Sequence, residues 1–349
     1  MNTSLAARLT VDLEALVANW AALDALSGPG VETAAVVKGD GYGCGAVQVG
    51  QALRRDGVRT FFVAVPSEGV ILREAIGPDP VIYILGGYSQ DDLFDHRLHD
   101  LRPVLNSGHQ ARAWFKDDNG PCAIQIDTGM NRLGLEADEF AALGALPDTV
   151  DLIMSHMGNA DDPPHPVNPQ QLAEFHRMVG ERGQRQSLSA TASLLLGPEY
   201  HFDMVRMGIG LYGGWPFLDA KRVVTVEAPV IQVRALEAGE SVGYGATWIA
   251  QRPSRIATIS AGYADGLIRA LGDGAQVFLD GQPISTAGRV SMDLITLDVT
   301  DIGCNPGDMV EILGPNQSID DLAKAAGTIG HEILTSMGPR YRREYVPAG

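Results

Sequence analysis

The sequence predicts an α/β protein, a (β/α)8 TIM-like barrel followed by a mainly β C-terminal domain. Over the first two-thirds of the 349 residues, apolar runs typical of strands alternate with helical patterns, which favours parallel strands joined by helices. From about Val223 onward, strand-like runs follow one another with short connections. A chain of this length can bury two cores, so we predict one domain over residues 1–222 and a second over residues 223–349.

Local signals define the first domain. Asp12 can cap a helix with an apolar face, and a second helix is predicted with Asn168 as N-cap, Pro169 at its first position and an end near Gly183. The apolar run 33–37 reads as a buried strand. Further strand candidates cover residues 60–65, 81–85, 122–127, 152–155 and 204–206.

The second domain is predicted from strands and turns. Asp280-Gly281 between two strand-like runs indicates a hairpin. Ser318 is expected to cap a short helix, with Asp321 in the capping-box position. The strand candidates cover residues 230–236, 255–260, 277–279, 295–299 and 309–313.

Composition narrows the functional classes. The chain has 26 basic and 43 acidic residues, a net charge of −17, so nucleic acid and anionic membranes are unexpected partners. Its three cysteines, Cys44, Cys122 and Cys304, are too scattered for a disulfide framework or a thiolate metal site. The N-terminal residues lack the apolar segment of a signal peptide, and no run is long enough to cross a bilayer. We therefore expect a cytoplasmic enzyme.

Lys38 is the most informative residue, because it ends the apolar run and opens the glycine-rich segment 38–45. A lysine that loses solvent also loses part of its preference for the charged form and becomes a usable nucleophile. Such an amine can form a Schiff base with the aldehyde of pyridoxal 5'-phosphate. A solvated lysine ending a strand remains the alternative. Asp127 and His156 also follow strand-like runs, so all three could share one barrel rim.

Six further segments, taken with Lys38, resemble the alanine racemase family in their order along most of the chain. They are residues 127–134 (DTGMNRLG), 155–161 (SHMGNAD), 205–213 (VRMGIGLYG), 242–247 (VGYGAT), 262–266 (GYADG) and 288–293 (GRVSMD). The resemblance implies a barrel that binds pyridoxal 5'-phosphate, fused to a β domain. It also implies an isomerase that interconverts L-alanine and D-alanine, supplying D-alanine for peptidoglycan or acting in alanine catabolism.

Racemisation removes the α-proton of the amino acid and returns a proton to the opposite face, so two bases are needed. Pyridoxal phosphate lowers the barrier by spreading the carbanion into its ring. One base is Lys38, and by resemblance the other is Tyr244. An ordinary tyrosine has a pKa of about 10, and the family stabilises its phenolate with a histidine and an arginine that correspond to His156 and Arg206. Outside this context, Tyr244 would be read as a turn residue.

The resemblance also assigns cofactor contacts. Arg206 matches the arginine that donates to the pyridine nitrogen, which it would leave unprotonated because arginine holds its proton. A structural salt bridge, for example with Asp203, is the alternative for Arg206. By position, the phosphate candidates are Tyr42, Thr191, Gly208 and Ile209.

This chain departs from the family pattern at several cofactor positions. Arg132 resembles the arginine that contacts the phenolic oxygen of the cofactor and the substrate carboxylate. In many members a carbamylated lysine seven residues earlier orients that arginine, whereas this chain has Gln125, so we expect a neutral amide, with or without a bound anion, to hold Arg132. Pro339 stands where a C-terminal tyrosine commonly reaches the phosphate, and Tyr341 is a possible substitute.

Three residues of the second domain belong to the predicted site. In the family, residues matching Tyr244, Tyr263 and Met292 complete the active site of the other subunit in a head-to-tail homodimer. Tyr263 and Met292 would narrow the site and favour a small substrate such as alanine. Core packing is the alternative for Met292, as for most methionines.

Four other functions are alternatives to this one. A metal hydrolase could use the cluster of His156, Asp161, Asp162 and His165, but it lacks a recognised ligand spacing, and we expect no metal. A non-catalytic pyridoxal-phosphate protein would not need the β domain with Tyr244. A decarboxylase usually keeps a carboxylate on the ring nitrogen, where Arg206 fits here. Racemases of serine or of broad amino-acid specificity stay open.

Overall fold

The structure is a computed structural model that describes residues 5–117, 119–272 and 275–348. It divides into two compact units. The barrel unit comprises residues 17–211 and 216–220. The β unit comprises the residues up to Leu16, residues 212–215 and the chain from Lys221 onward.

Eighteen strands are assigned within the described residues. They are β1 (Arg8–Asp12), β2 (Glu32–Val36), β3 (Thr60–Val63), β4 (Val81–Ile84), β5 (Leu101–Leu105), β6 (Cys122–Gln125), β7 (Val150–Met154), β8 (Arg185–Ser187), β9 (Met204–Met207), β10 (Val224–Leu236), β11 (Ser241–Val242), β12 (Trp248–Ile249), β13 (Ser254–Ile259), β14 (Gln276–Leu279), β15 (Gln282–Ser285), β16 (Ile295–Asp298), β17 (Met309–Leu313) and β18 (Arg342–Val346).

Eleven helical segments accompany them in the same part of the chain. They are α1 (Leu13–Ser27), α2 (Lys38–Tyr42), α3 (Ala46–Arg55), α4 (Pro66–Ile76), α5 (Leu93–Leu98), α6 (Gly108–Lys116), α7 (Ala137–Ala142), α8 (Val167–Val179), α9 (Thr191–Leu194), α10 (Ile319–Ala326) and α11 (Gly330–Thr335). Short 3₁₀ turns supplement them. No helix in the described ranges is both long and apolar enough to span a membrane.

Strands β2 to β9 form one parallel eight-stranded sheet in the barrel unit, with the order β8-β7-β6-β5-β4-β3-β2-β9. The sheet closes where the amide of Asp203 donates to the Gln186 carbonyl (3.0 Å) and that of Arg206 donates to the Ser189 carbonyl (2.9 Å). Trp114 and Phe175 are among the buried side chains that pack outer helices onto β6 and β7. The predicted TIM-like barrel is thus confirmed, so the carboxyl ends of its strands share one rim.

Two helix starts, those of α1 and α8, match the sequence prediction unevenly. The Asp12 carboxylate accepts from the amide of Ala15 at 2.8 Å, as predicted for the cap of α1. The predicted bounds of α8 are wrong. The helix begins at Val167, before the predicted cap, and ends at Val179, about one turn before the predicted end. Asn168 does not cap it, since its side-chain amide donates back to the Asp162 carbonyl at 3.0 Å.

The β unit contains the remaining strands. Its main path runs β15-β14-β17-β10-β1-β18, and β13 pairs with both β10 and β16. Asp280 and Gly281 have φ of 49° and 76° between β14 and β15, which confirms the hairpin. The Ser318 hydroxyl and the Asp321 carboxylate form the predicted capping box of α10.

Strand β1 belongs to the β unit. It pairs antiparallel with β10 and parallel with β18. The compact units therefore differ from the predicted domain ranges at the N-terminus. The sequence around β1 could not indicate this, because its pairing partners lie more than 200 residues away along the chain. The ranges 1–222 and 223–349 stay a prediction.

Candidate active site

A left-handed turn carries Lys38 at the end of β2. The four residues that follow it, 39 to 42, have φ between 53° and 63°, and Gly43 continues at 75°. The amide of Gly43 donates to the Gly39 carbonyl at 2.8 Å, so the turn is hydrogen-bonded along its length. Because left-handed backbone costs an L-residue roughly 1–2 kcal/mol, glycines at alternate positions make this turn accessible. The glycine-rich segment therefore fixes the backbone beside Lys38.

Glu68, in the first turn of α4, ties this turn to the neighbouring strand. Its Oε1 accepts from the amide of Gly39 at 2.7 Å, and its Oε2 accepts from the amide of Ala64 at 2.8 Å. Sequence reasoning missed this residue, since a glutamate near a helix start after Pro66 is ordinary. The carboxylate thus fixes the backbone next to Lys38 and brings a negative charge to the rim.

Burial and the charges of the rim lower the pKa values of Lys38 and His156. Burial, followed by the charge of Arg132, lowers the pKa of the Lys38 amine; Arg206 adds to this effect and Glu68 opposes it. Burial, together with the charges of Arg206, Arg132 and Lys38, lowers the pKa of His156 to about 3. At neutral pH, His156 is therefore uncharged. Lys38 is exposed at the end of β2, yet it gives up its proton more readily than a lysine with no charged neighbours and full solvation.

Arg206 lies on β9 and is almost fully buried. Its Nη1 donates to the Ser187 hydroxyl at 2.5 Å, and its Nη2 donates to the Ser155 carbonyl at 2.6 Å. The predicted alternative of a salt bridge to Asp203 is wrong, because that carboxylate accepts from the amide of Gln186 instead. Among the described residues, no ion pair neutralises Arg206. Only neutral oxygens accept hydrogen bonds from this guanidinium, so its positive charge can still attract an electron-rich atom of a ligand.

Four predicted phosphate contacts gather at the ends of β2 and β9. The Thr191 hydroxyl accepts from the amides of Gly208 (3.2 Å) and Gly210 (3.3 Å), which occupies both lone pairs and leaves its hydrogen to donate. A side chain on Gly208 would come within 2.6 Å of the Tyr42 hydroxyl, and Ile209 follows directly at the start of a 3₁₀ helix. Burial raises the pKa of Tyr42 to about 12, so this hydroxyl keeps its proton. Protonated hydroxyls suit an anionic oxygen.

The loop that carries Arg132 is closed by its own backbone and by Gln125. The Asp127 carboxylate accepts from the amides of Gly129 (2.8 Å) and Met130 (2.9 Å). The side-chain amide of Gln125 donates to the Leu133 carbonyl at 3.0 Å. No hydrogen bond joins Gln125 to the exposed Arg132 in the described ranges, which corrects the expectation that its amide holds the guanidinium directly. Gln125 acts on the loop backbone instead.

Tyr244, Tyr263 and Met292 belong to the β unit and project into solvent. Their exposed fractions are 74%, 42% and 53%, so the alternative of core packing for Met292 is wrong. The amides of Tyr263 and Ala264 donate to the carbonyls of Ser291 (3.0 Å) and Met292 (2.9 Å), which places these two loops side by side. The loop that carries Tyr244 also contacts the segment just before Met292. A side chain on Gly288, in that segment, would lie 3.0 Å from the carbonyl oxygen of Val242, which precedes Tyr244 by two residues.

The residues of the metal-hydrolase alternative do not form a cluster of ligands. The His165 ring nitrogen Nδ1 accepts from the amide of Val167 at 3.3 Å. Within residues 5–117, 119–272 and 275–348, no three His, Cys, Asp or Glu side chains are grouped so that they could hold a metal ion. The structure therefore gives that alternative no support.

Comparisons with known proteins cover nearly the whole chain. The family described as "Alanine racemase, N-terminal domain" matches residues 11–216, and "Alanine racemase, C-terminal domain" matches residues 223–345. An alanine racemase of Dinoroseobacter shibae is 52% identical over 342 residues, covering 97% of this chain and 98% of the relative. One of Rhodospirillum rubrum is 43% identical over 360 residues, covering 97% and 96%.

Solved structures show the same likeness in three dimensions. The alanine racemase of Bartonella henselae, with covalently bound pyridoxal phosphate, superimposes with a TM-score of 0.93 at 38% identity, covering 98% of this chain and 100% of that one. The biosynthetic alanine racemase of Pseudomonas aeruginosa gives a TM-score of 0.91 at 35% identity, covering 99% and 100%.

Proposed function

This chain belongs to the alanine racemase family, and from that premise we propose that it interconverts L-alanine and D-alanine with pyridoxal 5'-phosphate, using Lys38 and Tyr244 as the two bases. The observation that carries the proposal is the grouping of Lys38, His156 and Arg206 at one barrel rim, where the charge of Arg206 lowers the pKa of both Lys38 and His156 and the charge of Lys38 lowers that of His156 further. Perturbed groups of this kind gathered in one place are typical of catalytic sites.

The rim residues fit the cofactor at each of its polar ends. The Lys38 amine suits the aldehyde, and the hydroxyls of Thr191 and Tyr42 suit the phosphate, beside Gly208 and Ile209. Arg206, which has no acidic partner among the described side chains, suits the ring nitrogen, and Arg132 suits the phenolic oxygen and the substrate carboxylate. When bound, pyridoxal 5'-phosphate supplies the electron sink that makes the α-proton of the amino acid removable.

The protein groups then move protons between the two faces of the substrate. Lys38, with its lowered pKa, takes or returns the proton on one face, and the Tyr244 hydroxyl serves the other. In the proposed dimer, neutral His156 can accept a hydrogen bond from Tyr244 of the partner subunit, and the charge of Arg206 would favour the phenolate. Because Arg206 keeps its own proton, it would leave the ring nitrogen of the cofactor unprotonated, and this would favour simple proton return over other reactions of amino acids.

The exposed side chains of the β unit support a head-to-tail homodimer. Tyr244, Tyr263 and Met292 are large groups that soluble proteins rarely leave together in water. In the proposed dimer they close the barrel rim of the partner subunit and limit the substrate to a small side chain. The protein would work in the cytoplasm, either in D-alanine supply for peptidoglycan or in alanine catabolism.

One incubation tests the proposed activity. The purified protein, loaded with pyridoxal 5'-phosphate, is given L-alanine in heavy water, and the products are analysed by chiral chromatography and mass spectrometry. We expect D-alanine that carries deuterium at the α-carbon. Exchange without inversion would contradict the two-base assignment, and the absence of both would contradict the activity. A parallel incubation with L-serine separates an alanine enzyme from a serine or broad-specificity racemase.

A further inference from the structure

Tyr263 and Met292 lie on two loops that side-chain packing does little to hold. Both side chains are more than two-fifths exposed, so their positions depend on the backbone of residues 262–266 and 291–294. Two amide-to-carbonyl bonds join these loops, from Tyr263 to Ser291 and from Ala264 to Met292. A side chain on Gly262 would meet the carbonyl oxygens of Ser291 and Met292 at 2.4 Å, so the two backbones touch at this point, and a further link beyond it would fix their separation.

Arg340 supplies that link. Its Nε lies 3.1 Å from the Asp265 carboxylate, in the first loop, and its Nη1 donates to the Asp293 carboxylate, in the second loop, at 2.7 Å. Asp265 is buried, and its other oxygen accepts from the amide of Gly262 at 2.8 Å. One guanidinium therefore joins the residue two positions after Tyr263 to the residue directly after Met292.

The segment that carries Arg340 is itself fixed against the first loop. The amide of Gly338 donates to the Asp265 carbonyl at 3.1 Å. A side chain on Gly266 would lie 1.9 Å from the Ser336 carbonyl oxygen, so the two backbones are in direct contact. The Arg343 guanidinium also donates to the Gly338 carbonyl at 3.2 Å. Arg340 thus reaches toward Asp293 from an anchored segment and adds a side-chain link to the backbone bonds between the two loops.

We propose that Arg340 is a positioning residue that fixes the separation of Tyr263 and Met292, and thereby the size of the side chain that the racemase site accepts. The inference rests on the proposed function, in which these two residues limit the space available to the substrate side chain. Arginine suits this role because its planar fork can bind two carboxylates in fixed directions, which lysine cannot do. Without the link, the Met292 loop can move away and the pocket becomes larger and less defined.

The test compares variants of the full-length, cofactor-loaded protein. Arg340→Gln removes both ionic contacts, Asp293→Asn weakens only the contact with the Met292 loop, and Arg340→Lys keeps the charge without the fork. Arg252→Gln is the matched control, because Arg252 forms an exposed ion pair with Asp301 at the opposite end of β13 from residues 262–266. For each protein, kcat and KM are measured with L-alanine and with L-serine, and hydrogen exchange is followed in residues 262–266 and 291–294.

For Arg340→Gln we expect the ratio of kcat/KM for alanine to that for serine to fall about fivefold, mainly through KM for alanine. Hydrogen exchange should rise in the two loops and stay unchanged in the barrel strands. Asp293→Asn should change both readouts in the same direction by less, Arg340→Lys should recover part of the loss, and Arg252→Gln should match the wild type.

Two results would overturn the inference. One is that Arg340→Gln has the same ratio of kcat/KM for alanine to that for serine as the wild type, and the same hydrogen exchange in the two loops. The other is an equal loss of kcat for both substrates together with general instability, which would make Arg340 a stability residue only. If Arg340→Gln does not fold, Asp293→Asn decides, since that carboxylate is more than half exposed. If the wild type racemises neither amino acid, the proposed function is refuted instead. Hydrogen exchange in the two loops would still show whether Arg340 holds them together.

Discussion

The barrel rim and the exposed loops of the β unit hold their proposed site residues in different ways. On the rim, Arg206 is enclosed by strands and bound by neutral oxygens, and the turn beside Lys38 is closed by local hydrogen bonds and by Glu68. On the β unit, Tyr244 and Met292 extend into water from short turns. In the proposed site, the residues that would bind the cofactor are thus held by contacts within one chain, whereas those that would close the pocket lack such contacts.

The most direct way to break this comparison is to remove the rim amine. Lys38→Ala should abolish racemisation, a loss of at least about 10³-fold, because it deletes both the cofactor attachment and one base. The visible absorbance of the lysine-bound cofactor should disappear as well, measured after removal of free cofactor. Lys324→Ala, on the exposed face of α10, should behave like the wild type. A full absorbance band in Lys38→Ala would refute Lys38 as the anchor.

Whether Tyr244 acts in the site of the partner subunit can be tested by pairing two inactive chains. Lys38→Ala and Tyr244→Phe are co-expressed with different tags, and the heterodimer is isolated by two successive affinity steps. If each site combines a rim with the partner's loops, one of its two sites is intact, and it should recover about half of the wild-type turnover. Recovery of no activity would place both bases within the same chain.

The protonation of the rim predicts how acid destabilises the protein. The pKa of His156 is about 3 when folded and about 6.5 when unfolded, so between these values the unfolded chain binds more protons. Stability should therefore fall as the pH drops below about 6.5, by up to about 1.4 kcal/mol per pH unit from this residue. Urea unfolding at pH 7, 6 and 5 checks this. His156→Asn should flatten the dependence, and the exposed His109→Asn should not; equal slopes in all three proteins would contradict the assignment.

The smallest expected effect concerns Glu68. Glu68→Gln keeps an acceptor for the amide of Gly39 but removes the charge that opposes the lowering of the Lys38 pKa. The acid limb of the kcat–pH profile should move to lower pH, with turnover changed by less than about tenfold. Glu74→Gln, farther along α4 and exposed, is the control. A profile identical to that of the wild type would restrict Glu68 to a structural role.

The sequence was most informative where short-range chemistry decides the structure. Strand ends predicted that Lys38 and His156 meet at one rim, and the cap at Asp12 and the Asp280-Gly281 hairpin were also predicted. Each depends on residues that are neighbours along the chain. The same reasoning failed for Asn168, because an asparagine can turn its side chain back to a preceding loop as readily as it can cap a helix.

Features that depend on distant or polar partners could not be predicted. Strand β5 contains Arg102 and Pro103, and the three residues of β8 are all polar, so neither carries an apolar strand pattern. Glu68 and Arg340 are common surface residue types, and their roles appear only when folding brings Gly39 or Asp293 to them. Which exposed side chains gather on the β unit depends likewise on loop contacts that have no local signature.

The position of β1 between β10 and β18 has a consequence for synthesis on the ribosome. The barrel strands are complete once Met207 has emerged, whereas β1, made early, has no pairing partner until Val224 and none on its other edge until Arg342. At about ten residues per second, this strand waits roughly twenty seconds for the first neighbour and half a minute for the second. Leu9 and Val11, which are buried in the complete fold, therefore lack both neighbouring strands for that time.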